Sequence, residues 1–328
     1  MATPTSSVAE AADILGERLQ SIIPPVEWAA LADDMAAIRA LKRERGAVVL
    51  AHNYMSPEIY FGVADVTGDS LALARAAQNL DAPVIVMAGV YFMAETVKIL
   101  NPERTVLIPD RGAGCSLSES ITAEDVRALR HQHPGVPVVT YVNTSAEVKA
   151  ESDVCCTSAN ARRVVESLGV PRAILIPDRY LAANVARETT VEIIVWPGRC
   201  VVHERFRAED VRSLRVEHPD ARILAHPECP PEVVAEADFS GSTSAMSEYV
   251  AHRHPRTAIL LTECSMSDNV ALEHPEVHFV RPCNLCPYMK MNTLGSIRRA
   301  LETLGPAVDV PEDVARRARR AIERMLVL

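Results

Sequence analysis

The chain has 328 residues, of which 48% are hydrophobic and 23% are charged, as in ordinary globular proteins. Its formal net charge of −9 argues against a surface for nucleic acid or an anionic membrane, because both need clustered lysine and arginine. No apolar run reaches the roughly 18 residues of a membrane span, and the N-terminal sequence lacks the pattern of a secretory signal. Because the chain has eight cysteines and no such signal, we expect a cytoplasmic protein whose thiols serve a metal or chemistry.

Nine apolar runs rich in β-branched residues alternate with helix-length segments along the chain. Runs of this kind are typical of buried parallel strands joined by helical crossovers. In chain order they lie at 46–54, 82–90, 104–110, 136–144, 172–178, 191–198, 221–229, 257–264 and 277–283. The pattern predicts an α/β fold in which helices cover both faces of each sheet.

The nine runs form three repeats of one unit. The segment AEDVRALRHQHP at 123–134 recurs as AEDVRSLRVEHP at 208–219, and the repeats end at nearly equal intervals with Cys115, Cys200 and Cys286. Each repeat is one module that packs against its neighbours. We therefore predict three pseudo-threefold-related, three-layer αβα domains with parallel sheets around a central cluster site. Their predicted bounds are 36–118, 119–203 and 204–292, with an N-terminal helical extension at 1–35 and C-terminal helices at 293–328.

Polar residues end the first predicted strand of every repeat, and small hydroxyl residues follow further along. In parallel α/β units ligands collect beyond the carboxyl ends of the strands, and hydroxyls at helix starts can bind anions. The polar residues are His52 and Tyr54, Tyr141 and Asn143, and His226 and Glu228, and the hydroxyl residues are Ser70, Ser158, Ser242 and Thr243. Taken singly, such residues are more often packing residues or helix N-caps. Their recurrence at the same points of three repeats indicates a shared substrate site.

The three repeat cysteines could converge near the pseudo-threefold axis and hold a metal cluster with one open coordination position. The pair Cys283 and Cys286 resembles half a zinc site, but no second such pair accompanies it, so zinc is the weaker alternative. His203 follows Cys200 closely and is either a fourth ligand or a substrate contact; we favour the contact. Cys229 and Cys264 are expected to pack or to line the pocket. Cys155, Cys156 and Cys283 are expected to pack, with a redox switch as the less favoured alternative for these three.

Ten strings of the chain, in order between about residues 45 and 300, closely resemble those of quinolinate synthases. They are AHNY, GDSLALA, GVYFMAETVKIL, TYVNTSAEVKA, SDVCCTSANA, WPGRCVVH, HPECPPEVV, GSTSAM, TECSMSDN and CPYMKMNTL. The resemblance implies three αβα domains around a [4Fe-4S] cluster that Cys115, Cys200 and Cys286 hold, with one iron open and Cys283 spare. Many family members read HYY where this chain has Asn53 between a histidine and a tyrosine, and we expect Asn53 to face outward.

The resemblance also implies an activity. Quinolinate synthases make quinolinate, the precursor of the pyridine ring of NAD, from iminoaspartate and dihydroxyacetone phosphate, and an open iron would act as a Lewis acid. The substrate-contacting residues of the family match His52, Tyr54, Ser70, Tyr141, Asn143, Ser158, His203, His226, Glu228, Ser242 and Thr243. Among these we expect Glu228 to be the general base, with a pKa raised by its surroundings, and Tyr54 and His226 to be further catalytic groups. Tyr141 and Asn143 would orient the substrate.

Two other functions stay open at this point. An aconitase-like hydro-lyase acting on a small dicarboxylate would use the same open iron without a triose phosphate. A non-catalytic Fe–S sensor would need an output surface, and the sequence shows neither a basic nucleic-acid patch nor a dimerising coiled coil. We further predict a transient contact with L-aspartate oxidase, as the source of iminoaspartate, and no nucleic-acid or membrane partner.

Overall fold

The computed structural model describes residues 16–328, so the first 15 residues of the predicted N-terminal extension lie outside the described part. Twelve strands form three parallel sheets of four strands, and all nine predicted strands are present. The strands are β1 (Ala47–His52), β2 (Val66–Gly68), β3 (Val84–Ala88), β4 (Thr105–Leu107), β5 (Val138–Tyr141), β6 (Val154–Cys156), β7 (Arg172–Ile176), β8 (Glu192–Val195), β9 (Arg222–Ala225), β10 (Phe239–Ser240), β11 (Thr257–Leu261) and β12 (His278–Val280). The α/β fold with three related units is thus confirmed.

The three sheets share one topology. Their strand orders are β2-β1-β3-β4, β6-β5-β7-β8 and β10-β9-β11-β12, and every pairing within them is parallel. The two central strands of each sheet are the first and second predicted runs of a repeat. The edge strands β2, β6 and β10 were not predicted, because their two or three residues are too few to show a hydrophobic pattern.

Helices cover the sheets and connect their strands. In chain order they are α1 (Pro25–Arg45), α2 (Pro57–Tyr60), α3 (Ser70–Ala77), α4 (Tyr91–Leu100), α5 (Ser116–Glu119), α6 (Ala123–Gln132), α7 (Ala146–Ala150), α8 (Ala161–Ser167), α9 (Arg179–Ala186), α10 (Ala208–Glu217), α11 (Pro231–Val234), α12 (Thr243–Arg253), α13 (Cys264–Glu273), α14 (Leu294–Thr303) and α15 (Glu312–Leu326). Short 3-10 turns at His203–Arg205 and Met289–Met291 follow the second and third repeat cysteines. The predicted domain boundary between residues 35 and 36 falls inside α1. None of the helices described is both long and apolar enough to cross a membrane.

One aspartate device, a carboxylate that accepts a strand N–H and pairs with a basic residue, recurs near the start of the first strand in every repeat. In the second repeat, Asp153 Oδ2 accepts the backbone N–H of Val138 at 2.7 Å and pairs with Arg130 at 2.7 Å. The equivalent residues are Asp65, Val49 and Lys42 in the first repeat and Asp238, Ile223 and Arg215 in the third. The carboxylate satisfies a strand N–H that has no partner in the sheet, and the basic residue compensates its charge. The repetition of this device in three dimensions supports a common unit.

The C-terminal helix α15 packs across the first two units. Its buried residues recur every three or four positions, as in an amphipathic helix, and are Val314, Ala318, Ala321, Ile322 and Met325. Burying a side chain such as Ile322 contributes about 1.5–3 kcal/mol. Arg317 on the same helix pairs with Glu151 at 2.9 Å, and Arg324 donates to the carbonyl of Asp153 at 2.7 Å. The helix therefore braces the first unit against the second.

Candidate active site

The carboxyl ends of the strands of all three sheets open into one cavity, and nearly all predicted site residues line it. The predicted residues at this cavity are His52, Tyr54, Ser70, Tyr141, Asn143, Ser158, His203, His226, Glu228, Thr243 and the three repeat cysteines. Ser242 instead caps α12, where its hydroxyl accepts the N–H of Ala245 at 3.3 Å, and lines a neighbouring groove. Strand-end geometry in three repeats thus brings together residues that are far apart in the sequence.

Glu228 makes two short polar contacts in the cavity, one with each carboxylate oxygen. Its Oε1 accepts the phenol O–H of Tyr141 at 2.5 Å, and its Oε2 lies 2.8 Å from Nδ1 of His203. Burial alone would raise the pKa of this carboxyl, but the neighbouring imidazole of His203 and these two hydrogen bonds hold the pKa well below its usual range. The raised pKa that we predicted for Glu228 is therefore wrong: donors from the second repeat stabilise the ionised form.

A chain of hydrogen bonds connects Tyr54 to Glu228. The phenol oxygen of Tyr54 lies 2.6 Å from Thr262 Oγ1, and the same hydroxyl lies 3.0 Å from His203 Nε2. His203 Nδ1 then reaches Glu228. Burial, followed by the nearby negative charge of Glu228, raises the pKa of both Tyr54 and Tyr141 well above the usual value. Both phenols are accordingly proton donors at neutral pH.

His52 and His226 occupy equivalent positions and are held in the same way. The backbone N–H of Tyr54 donates to His52 Nδ1 at 3.2 Å, and that of Glu228 donates to His226 Nδ1 at 3.3 Å. Each Nδ1 is thus an acceptor, which leaves the proton on Nε2. Burial lowers the pKa of His52 to about 4 and that of His226 to about 3. Both imidazoles are neutral at pH 7, and His226 Nε2 donates to Ser158 Oγ at 3.2 Å.

The eight cysteines fall into three groups. The repeat cysteines Cys115, Cys200 and Cys286 are partly exposed and line the same cavity. Burial raises the pKa of the Cys115 thiol to about 12, so without a metal this thiol stays protonated. A second group, Cys155, Cys156 and Cys229, is fully buried away from solvent, as expected of packing residues.

The third group corrects a prediction. Cys264, which we expected to pack or to line the pocket, and Cys283, which we expected to pack, form a disulfide with an S–S distance of 1.99 Å. Cys283 is therefore unavailable to a zinc site with Cys286. Sequence alone could not show this pair, because cysteine connectivity does not follow from spacing.

The position of Asn53 is a further correction. Its side chain is 8% exposed, and Nδ2 donates to Thr243 Oγ1 at 2.9 Å, so it faces inward across two repeats rather than outward. Sequence reasoning also missed Thr262, which joins Tyr54 to His203. The signal that could have identified it is its place directly after the second strand of the third repeat, because the ends of second strands lie at the same sheet edge as those of first strands.

The cavity offers two sets of metal ligands. The ligand atoms of Cys200, His203 and Glu228 lie within 4.8 Å of one another. In that set, however, His203 and Glu228 already bond to each other, and a single ion would have to displace their contact. The three repeat cysteines provide soft sulfur ligands, one from each unit, of the kind that iron–sulfur clusters use. Their soft-ligand chemistry, and the fact that all three line one cavity, fit such a cluster.

Comparison with known proteins identifies the family. The family model for quinolinate synthetase A protein matches residues 36–327. Quinolinate synthase 2 of Mesorhizobium japonicum is 64% identical over 323 residues, which are 98% of this chain and 100% of that protein. The quinolinate synthases of Agrobacterium fabrum and of Xylella fastidiosa strain Temecula1 are also 64% identical, over 95% and 90% of this chain and 90% and 87% of their own lengths. The chain therefore belongs to the quinolinate synthase family of enzymes.

Proposed function

We propose that the chain makes quinolinate for NAD biosynthesis by condensing iminoaspartate with dihydroxyacetone phosphate, with release of phosphate and water. The observation that carries the proposal is the convergence of three cysteines, one from each repeat, on a cavity that also holds the bonded group of Tyr141, His203 and Glu228. Neither the hydro-lyase nor the sensor alternative is favoured by a specific feature of the cavity.

We assign the cofactor as a [4Fe-4S] cluster held by Cys115, Cys200 and Cys286. With three protein ligands, one iron of a four-iron cluster keeps an open position. When bound, such a cluster supplies a Lewis acid that polarises a substrate oxygen. Cys155, Cys156 and Cys229 are too deeply buried to take part, and Cys264 and Cys283 are bonded to each other.

Neutral donors bind the two anionic substrates in this proposal. The Nε2–H groups of His52 and His226 and the hydroxyls of Ser70, Ser158 and Thr243 line the cavity. Such donors recognise carboxylate and phosphate oxygens without a net positive charge. Anionic substrates can therefore bind to a protein whose net charge is −9. The side-chain oxygen of Asn143 is buried and has no hydrogen-bond partner among the described residues. We assign it to accept the N–H or O–H of a substrate.

The protein also moves the protons of the reaction. Glu228 is ionised at neutral pH, because its pKa is lowered, and we assign it as the general base; the same lowered pKa makes it a weaker base than a free carboxylate. Tyr54 keeps its proton, because burial raises its pKa, and is the corresponding donor. The contacts through Thr262 and His203 give a path by which a proton taken up at Glu228 can return to Tyr54.

The experiment that tests the proposal is anaerobic purification followed by a quinolinate assay. Dihydroxyacetone phosphate is supplied together with iminoaspartate generated in situ, and iron is counted in the same sample. We expect quinolinate and about four irons per chain. A full cluster without quinolinate would overturn the activity, and zinc in place of iron would overturn the cofactor. A cytoplasmic location and a transient contact with L-aspartate oxidase stay predictions.

A further inference from the structure

Lys290 lies on the 3-10 turn that follows Cys286, and its ammonium group joins three segments. It donates to the backbone carbonyl of Tyr54 at 3.1 Å, to Glu263 Oε1 at 3.0 Å and to the hydroxyl of Ser265. A lysine ammonium has three N–H donors, so all three are used. The side chain is 28% exposed. Most of the side chain is therefore withdrawn from solvent, and the three contacts replace the water that a surface ammonium would bind.

Glu263, the partner of Lys290, is fully buried and holds the Cys286 loop. It follows β11, and its Oε2 accepts the backbone N–H of Ser265 at 2.8 Å. Its Oε1 accepts the backbone N–H of Cys286 at 3.4 Å as well as the ammonium of Lys290. One carboxylate therefore connects the start of α13 to the backbone of a repeat cysteine.

Tyr54 is held at both ends by this same unit. Its phenol bonds to Thr262, the residue next to Glu263, and its carbonyl accepts from Lys290. Tyr54 comes from the first repeat, whereas the other residues come from the third. The contacts of Lys290 and Glu263 therefore connect the first repeat to the third beside the cavity.

We propose that Lys290 and Glu263 form a clamp that positions Tyr54 relative to Cys286. The inference rests on the proposed function, because Tyr54 is taken as the proton donor and Cys286 as a cluster ligand. Both Lys290 and Glu263 act through other groups, so they are positioning residues rather than catalytic ones. Misplacing a reacting group by about 1 Å can reduce turnover by about a hundredfold.

The test is a double-mutant series of Lys290→Met, Glu263→Gln and the two together. The first variant leaves a buried carboxylate without its cation, which lowers the melting temperature of the apoprotein and hastens iron loss in air. The double variant removes both charges. We expect it to regain most of the wild-type melting temperature while kcat stays about tenfold or more below wild type and KM changes little.

The matched control is Arg281→Gln, which breaks an exposed pair with Asp268 on the same side of the third unit and should leave kcat and iron unchanged. If the double variant recovers kcat together with its melting temperature, the pair is merely structural and the proposal is wrong. Wild-type kcat in Lys290→Met would also overturn it. Wild-type protein without quinolinate would instead refute the proposed function, and iron retention would still report whether the clamp holds Cys286.

Discussion

Replacing Tyr141 by phenylalanine tests whether its phenol keeps Glu228 ionised. The two side chains are only 5% and 3% exposed, and the O–H···O distance between them is 2.5 Å. A hydrogen bond to a charged group contributes about 1.5–3 kcal/mol. Since 1.36 kcal/mol corresponds to about a factor of ten in a protonation equilibrium, the carboxyl of Glu228 should become about ten- to a hundredfold easier to protonate.

The sign of the effect follows from the lowered pKa of Glu228. A carboxyl whose pKa is depressed by folding stabilises the protein above its unfolded-state pKa of about 4.3, and this contribution is lost as the pH falls. In Tyr141→Phe the pKa is less depressed, so the contribution is smaller and its loss is complete at a higher pH. We expect the free energy of unfolding of the apoprotein at pH 7 to fall by about 1–3 kcal/mol. The acid limb of kcat/KM should also move to higher pH.

The assay is the pH dependence of kcat/KM for quinolinate formation, with urea unfolding of the apoprotein beside it. The control is Tyr249→Phe, because Tyr249 packs on Phe239 with ring centroids 4.9 Å apart and lies outside the cavity. If Tyr141→Phe loses turnover but keeps the wild-type acid limb, Tyr141 only orients the substrate. That result would refute the reasoning on Glu228.

Three further predictions follow from the site and the repeat. Cys200→Ser should lose the iron and the visible absorbance of the cluster, whereas the buried-thiol control Cys229→Ser should keep both. Cys200→Ser protein that keeps its iron and its visible absorbance would contradict the ligand assignment. Glu228→Gln should keep its iron and circular dichroism but lose most turnover, and near-normal quinolinate formation would exclude it as the base. Asp153→Ala removes the acceptor of the Val138 N–H, so urea unfolding should show a loss of about 1–3 kcal/mol, and no change would argue against the repeated device.

The sequence predicted the fold well because the central strands carry long apolar runs. The edge strands escaped prediction because a segment such as Phe239–Ser240 is too short to show a period. The site residues were predictable for a related reason, since the carboxyl ends of parallel strands meet at one edge of a sheet. Thr262 and Lys290 were missed because their roles depend on contacts between repeats that no local pattern records.

The electrostatics of the site were harder to predict than its membership. A buried carboxyl without known partners is expected to have a raised pKa, and this was the basis of the expectation for Glu228. The structure supplies two donors: Tyr141, which is the last residue of β5, and His203, which follows β8 of the same sheet. Their effect reverses the direction of the shift. Such pairings between distant segments decide pKa values, and a sequence read without its fold does not contain them.

The symmetry of the scaffold and the asymmetry of the site have different physical causes. Each unit must satisfy an N–H near the start of its first strand, so Asp65, Asp153 and Asp238 repeat one solution. The contacts of the site instead cross between units: Tyr141 of the second reaches Glu228 of the third, and Tyr54 of the first reaches Thr262 of the third. No single unit can assemble the proton path. The proposed proton path therefore requires all three units in register, and buried ties such as the contact of Asn53 with Thr243 lie where the units meet.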